Sequence, residues 1–229
     1  MSETGFVLHS LPYRETSLIV EMFSRKHGRL AVVAKGARRP QSALRAVLLQ
    51  FQPIEFTVAG KGELRTLTRA EWQGGLPMPA GEALLFAFYL NELLVRLLMR
   101  EDPHPGLFHA YVEALRALGE RGAREEVLRR FEWLLLKEIG YAPDLSRDRQ
   151  GRQLQPEADY RMQAGQLVLS EAGDEDAFSG RVLRDIADGR YDAPGALASA
   201  KRLSRQVLGV QLEGAPLKTR QILIDLQRL

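Results

Sequence analysis

The thirty-three residues from Met22 to Ile54 contain neither Asp nor Glu, yet hold Arg25, Lys26, Arg29, Lys35, Arg38, Arg39 and Arg45. Cations without carboxylates nearby in the chain have no local partner, and the chemistry they suit is neutralisation of a polyanion, each contact with a phosphate releasing condensed counterions. Residues 1–80 carry 11 Lys/Arg against 6 Asp/Glu, whereas residues 81–229 carry 21 against 23, so the net charge of +3 conceals a basic front. Such a stretch is often only a solvated face, but the long absence of acids favours nucleic acid.

Bond-breaking chemistry finds little to work with. Histidine is limited to His9, His27, His104 and His109, and cysteine is absent, which removes thiolate zinc sites, disulfides and a cysteine nucleophile. No H-E-x-x-H, Walker loop or dinucleotide fingerprint occurs. Asp102, His104 and His109 flank two prolines in a spacing that matches no standard ligand set, and the run Asp174-Glu175-Asp176 reads as a solvated turn. Gly60-Lys61-Gly62 suits a tight hairpin whose Lys61 can touch a backbone phosphate. These readings exclude a resident cofactor or metal and describe a non-enzyme. With no leader and no membrane span, the expected compartment is the cytoplasm.

The basic residues need a scaffold, and the first eighty residues supply one. Apolar, β-branched runs predict strands at Gly5 to Ser10, Ser17 to Ser24, Arg29 to Lys35, Pro53 to Ala59 and Leu64 to Trp72. Ser42 to Gln50 has the Ala/Leu content of a short helix between the third and fourth strands. Five strands interrupted there describe an OB barrel, with a small SH3-like barrel as the alternative. Lys35, Arg38 and Arg39 then lie where the loops of an OB barrel border its binding face. Tyr13, Phe23, Phe51, Phe56 and Trp72 could serve as base platforms, but aromatics in strands are more often core; Tyr13, in a polar turn, is the best exposed.

The Gly74-Gly75, Pro77 and Pro79 stretch marks a boundary, giving a nucleic-acid-binding domain at 1–79 and a helical domain at 80–229. Helices are expected over Gly81 to Arg100, Gly106 to Leu118, Arg124 to Ile139, Ser179 to Asp188, Pro194 to Leu208 and Leu217 to Leu226. Residues 143–173 form an irregular insertion with a hairpin from Tyr160 to Leu169 turning at Ala164-Gly165. The fold class is therefore α+β, a five-stranded OB barrel followed by helices. In the third of these helices Arg129, Arg130 and Phe131 interrupt an apolar pattern. A guanidinium beside an apolar groove can hold an acidic peptide, while spacing alone favours intrahelical pairing with Glu125, Glu126 or Glu132.

Seven segments carry a resemblance in order along the chain: Phe6 to Arg38, Gly60 to Leu67, Tyr89 to Leu98, Leu128 to Tyr141, Phe178 to Arg181, Ala200 to Arg205 and Pro216 to Arg220. Together they resemble the RecO family of bacterial recombination mediators, closest to its proteobacterial branch. The resemblance implies an OB fold with a helical domain, binding of single- and double-stranded DNA, annealing of strands coated by single-stranded DNA-binding protein (SSB), and loading of RecA with RecR. On that reading the DNA-binding residues are Arg14, Arg25, Lys26, Arg29, Lys35, Arg38, Arg39 and Lys61, and the SSB C-terminal tail contacts Arg129, Arg130 and Phe131. Many relatives carry a four-cysteine zinc module after the third helix; this chain lacks cysteine between Pro143 and Gly173, so no zinc is implied. An RNA-binding OB protein and an adaptor that does not bind DNA are the alternatives.

Overall fold

A computed structural model describes residues 2–120, 124–171 and 173–226. Strands β1 (Glu3–Tyr13), β2 (Ser17–Ser24), β3 (Gly28–Ala34), β4 (Pro53–Ala59) and β5 (Leu64–Trp72), with helix α1 (Ala43–Val47) between β3 and β4, close into a barrel of order β1-β2-β3-β5-β4. All neighbours pair antiparallel except β3 and β5, where Val33 stands opposite Thr66 in a parallel ladder. This is the expected OB arrangement, and β2, β4 and β5 have the expected bounds. Strand β1 is longer than expected because it runs on through Pro12 and Tyr13 against Leu18 and Ser17, past an irregularity between Val7 and His9.

Alternation sorts the barrel's side chains. Val20 and Met22 on β2 and Leu30, Val32 and Ala34 on β3 point inward, with Val7, Ile54, Phe56 and Leu67 completing the core. The intervening residues face outward, where helices α2 (Glu82–Leu97) and α3 (Pro105–Gly119) meet them. Phe6 and Phe23 pack edge-on against Tyr111, with ring centroids 5.2 and 5.9 Å away, and tilt against Phe108. Asn91 Nδ2 donates to the Leu8 carbonyl at 2.9 Å, and the Tyr111 hydroxyl donates to Asn91 Oδ1 at 2.5 Å, so the buried amide is satisfied from both sides. Gly28 shows why one end is closed: its φ is +64°, and a Cβ there would meet the Asp102 carbonyl oxygen at 1.9 Å.

The chain divides into two compact units, residues 1–124 with 216–229, and residues 125–215. The barrel thus shares its unit with α2, α3 and α7 (Lys218–Leu226). Helix α7 is held by Glu92 of α2, whose carboxylate accepts from the backbone N–H groups of Lys218 at 2.8 Å and Thr219 at 2.9 Å and from the Thr219 hydroxyl.

The second unit contains most of α4 (Arg124–Glu138), strands β6 (Asp159–Gln163), β7 (Gln166–Leu169) and β8 (Phe178–Ser179), and helices α5 (Gly180–Ala187) and α6 (Ala196–Gln211). The hairpin β6–β7 turns at Ala164-Gly165 as expected. Strand β8, too short to show a period, adds a third member against β6. Pro194 stands before α6 rather than inside its first turn, since Gly195 at φ +77° precedes Ala196. The stretch without cysteine is closed by hydrogen bonds: the Asp148 carboxylate accepts from the N–H groups of Gln150 and Arg152 at 2.9 and 3.0 Å and from Arg152 Nε at 2.8 Å. Further on, Asp174 accepts from the Ser170 hydroxyl and the Asp176 N–H, the turn that its acidic run suggested.

Candidate nucleic-acid interface

The eight cations singled out from the sequence are distributed over the two ends of β2 and β3. Seven steps of strand, about 23 Å, separate those ends. At one end the β1–β2 turn presents Arg14, and the loop after β3 presents Lys35, Arg38 and Arg39, all exposed. The two loops are tied together: the Arg38 N–H donates to the Thr16 carbonyl at 2.9 Å, and Arg38 Nη1 reaches the carbonyls of Arg14 at 3.4 Å and Glu15 at 3.3 Å. An open cleft of about 610 Å³ adjoins them, lined by Lys35, Gly36, Arg39, Pro40, Gln41 and Ser42. Among the described residues no carboxylate ion-pairs with Arg14, Lys35, Arg38 or Arg39. The cations of this corner therefore stay unpaired, although Glu15 lies in the same turn.

At the other end one predicted cation, Arg29, is committed within the fold. Arg29 is mostly buried, donates Nε to the Leu98 carbonyl at 2.9 Å and pairs with Glu21 at 3.1 Å. Glu21 also pairs with Arg100, and Arg65 with Glu101 at 2.5 Å, so the α2–α3 connection is clamped to the barrel by charge. Lys26 lies 3.9 Å from the Glu3 carboxylate, which also accepts the Lys26 N–H at 2.8 Å. Arg25 is exposed beside it, and Lys61 is exposed at the tip of the β4–β5 turn. Of the expected set, Arg29 is the member that the fold has drawn inward.

The aromatic candidates divide similarly. Phe23 and Phe56 are buried, as strand aromatics usually are, and so is Phe51 in the turn before β4, whereas Tyr13 is half-buried with the Arg14 guanidinium 5.1 Å from its ring centre. Trp72 departs from the core expectation: it is 59% exposed at the end of β5, its Nε1 donating to Gln52 Oε1 at 3.4 Å. Its position at a strand terminus was the available signal, because alternation no longer forces a side chain inward there.

On α4 the three predicted residues do not share one face. Arg129 is buried, its side chain 8% exposed and paired with Glu132 at 2.8 Å, and Phe131 is buried as well. Arg130 points outward, pairs with Glu126 at 2.7 Å and lies 5.1 Å from the centre of the Tyr191 ring. The intrahelical pairing that spacing favours is therefore present, to Glu126 and Glu132. Glu125 instead accepts from Lys201 at 3.0 Å, which lowers its pKa from the usual range. Burial pushes the Tyr191 phenol up to about 12, with Arg130 pulling the other way. His104 Nε2 sits 3.3 Å from Asp102, while His109 is exposed. Among the described residues no three metal-binding side chains cluster, and no helix is long and apolar enough to cross a membrane.

The model of the recombination protein O N-terminal domain matches residues 1–75, and that of its C-terminal domain residues 78–221. A DNA repair protein RecO of Azoarcus is 50% identical over 99% of this chain and 96% of its own length. Those of Ralstonia nicotianae and Polynucleobacter asymbioticus are 48% and 45% identical over 99% of this chain, covering 85% and 97% of their own lengths. With both family models matched in order on a closed OB barrel and its helical partner, the chain belongs to the RecO family of DNA repair and recombination proteins.

Proposed function

We propose that this protein is a recombination mediator of the bacterial cytoplasm that binds single- and double-stranded DNA, anneals complementary strands coated by SSB and, with RecR, promotes loading of RecA. Residues 1–79 serve as the DNA-binding module and residues 80–229 as the module that meets protein partners. The observation that supports this most is the corner formed by Arg14, Lys35, Arg38 and Arg39, four exposed cations with no carboxylate partner among the described residues. A phosphate backbone laid there exchanges condensed counterions for fixed guanidinium and ammonium groups. Neutralised strands then approach one another without their mutual repulsion, so annealing requires no bond to be broken.

Arg130 is the exposed member of the predicted tail-binding set and can exchange Glu126 for the carboxylates of an acidic peptide. Arg129 and Phe131, both buried, shape the helix beneath it. Capture of the SSB tail raises the local concentration of coated DNA, so a weak contact with the barrel suffices. The test is annealing of SSB-coated complementary oligonucleotides with and without this protein, repeated with SSB lacking its tail. Faster annealing that depends on the tail is expected; annealing no faster than the uncatalysed control overturns the reading. Replacing Arg130 with Ala should remove affinity for the tail peptide while sparing DNA binding at low salt. A preference for RNA over DNA of the same sequence would instead indicate the RNA-binding alternative.

A further inference from the structure

The outer face of the barrel next to the basic corner is apolar, and cross-strand register shows how its residues line up. Leu11 stands opposite Ile19, Ile19 opposite Val33, and Val33 opposite Thr66. Directly paired residues share a face, and Val20 and Met22 occupy the interior, so Leu11, Ile19 and Val33 form a row across the outside of β1, β2 and β3. Tyr13, two residues beyond Leu11, lies on the same side. Helices α2 and α3 bury the other end of this face, over Phe6 and Phe23, but leave Leu11 53% exposed and Tyr13, Ile19 and Val33 only half-buried.

Apolar side chains flanked by unpaired cations suit an unpaired strand better than a duplex. A duplex presents phosphates outward and keeps its bases stacked inside, so it can use only the rim of Arg14, Lys35 and Arg39. An unpaired strand can use both, with phosphates on the rim and bases turned down onto the apolar row. The Tyr13 ring and the Arg14 guanidinium, 5.1 Å apart, add a step of two planar groups of the kind on which bases stack. Arg14 holds its place with a backbone φ of +52°, a left-handed conformation uncommon for a residue with a side chain, and Arg38 braces that turn through the Arg14 and Glu15 carbonyls.

We infer that Tyr13 and Leu11 are base-contacting residues, and that the row they begin makes this corner bind unpaired nucleotides in preference to duplex. The inference rests on the DNA-binding reading above and assigns separate roles within it. Tyr13 and Leu11 meet bases, Lys35 and Arg39 meet phosphates, and Arg38 positions the turn.

The test compares the full chain with Tyr13→Ala, Leu11→Ser and Tyr13→Phe against three probes of equal length: an oligothymidylate, an abasic strand and a duplex. Circular dichroism establishes that each variant is folded. Tyr13→Ala is expected to weaken oligothymidylate binding about tenfold, the scale of one lost base-stacking contact, and Leu11→Ser to weaken it less. Abasic and duplex affinities should change less than about twofold, and Tyr13→Phe should bind as the parent does. Equal losses on all three probes, or no loss on oligothymidylate, overturn the inference while leaving DNA binding intact. A parent protein that binds none of the probes overturns both the inference and the reading beneath it.

Discussion

The two ends of the barrel look alike in the sequence, each with a turn rich in Arg and Lys, and the fold draws a cation into ion pairs at one end and at the other, among the described residues, draws in none. Around Gly28 and Arg29 the α2–α3 connection closes down, so that Glu21, Arg29, Arg100, Arg65 and Glu101 satisfy one another. Around Arg14 and Arg38 no carboxylate ion-pairs among the described residues, and hydrogen bonds from Arg38 go to backbone carbonyls, which leave the charge in place. A cation paired inside the fold contributes little to a distant polyanion, whereas an unpaired exposed one contributes fully. Charge counted along the chain is thus not the charge available to a partner.

The difference can be broken most severely at Gly28→Ala, which puts a Cβ into the Asp102 carbonyl at a left-handed φ. Loss of about 4 kcal/mol or failure to fold is expected in urea denaturation, and a loss below about 1 kcal/mol would mean that the closed end is not closed as described. Next comes charge reversal at the open end. Arg38→Glu with Arg39→Glu should weaken oligonucleotide binding at least about a hundredfold at low salt, with a shallower dependence of log affinity on log salt, read by fluorescence anisotropy. Arg29→Ala should show the reverse pattern, with stability falling by about 2 kcal/mol as Glu21 loses a partner and DNA affinity changing less than about twofold. Comparable effects of Arg29 and Arg38 on DNA affinity would erase the distinction between the ends.

The smallest effect concerns Tyr111, under the closed end, whose phenol burial pushes well above its ordinary pKa. In the unfolded chain the same phenol ionises near 10, so its contribution is fully present at neutral pH and is lost as pH rises past about 10. Tyr191 acts in the same direction between about 10 and 12. Denaturation midpoints should therefore be flat from pH 7 to 9 and fall above that, with Tyr111→Phe flattening part of the fall.

Much of the fold was legible because its signals are local. Alternation in Ser17–Ser24 and Pro53–Ala59 matched the strands to the residue, and Gly60-Lys61-Gly62 marked the turn between β4 and β5. Elements with weak local signals were harder: the two-residue β8 has no period to read, and β1 continues through Pro12 only because Leu18 lies opposite. On α4, spacing correctly indicated intrahelical pairing but could not tell that Arg129 turns inward to Glu132 while Arg130 faces outward to Glu126.

Residue order alone determined the barrel, the helices and the presence of a basic front, because side-chain period, turn chemistry and charge composition act over a few neighbouring residues. Which of those cations stay free, which aromatics face outward and which end of the barrel is covered were decided only when segments far apart in the chain met. Burial and ion pairing depend on what arrives from elsewhere, as the arrival of Arg100 and Glu101 at the strands of Glu21 and Arg65 shows.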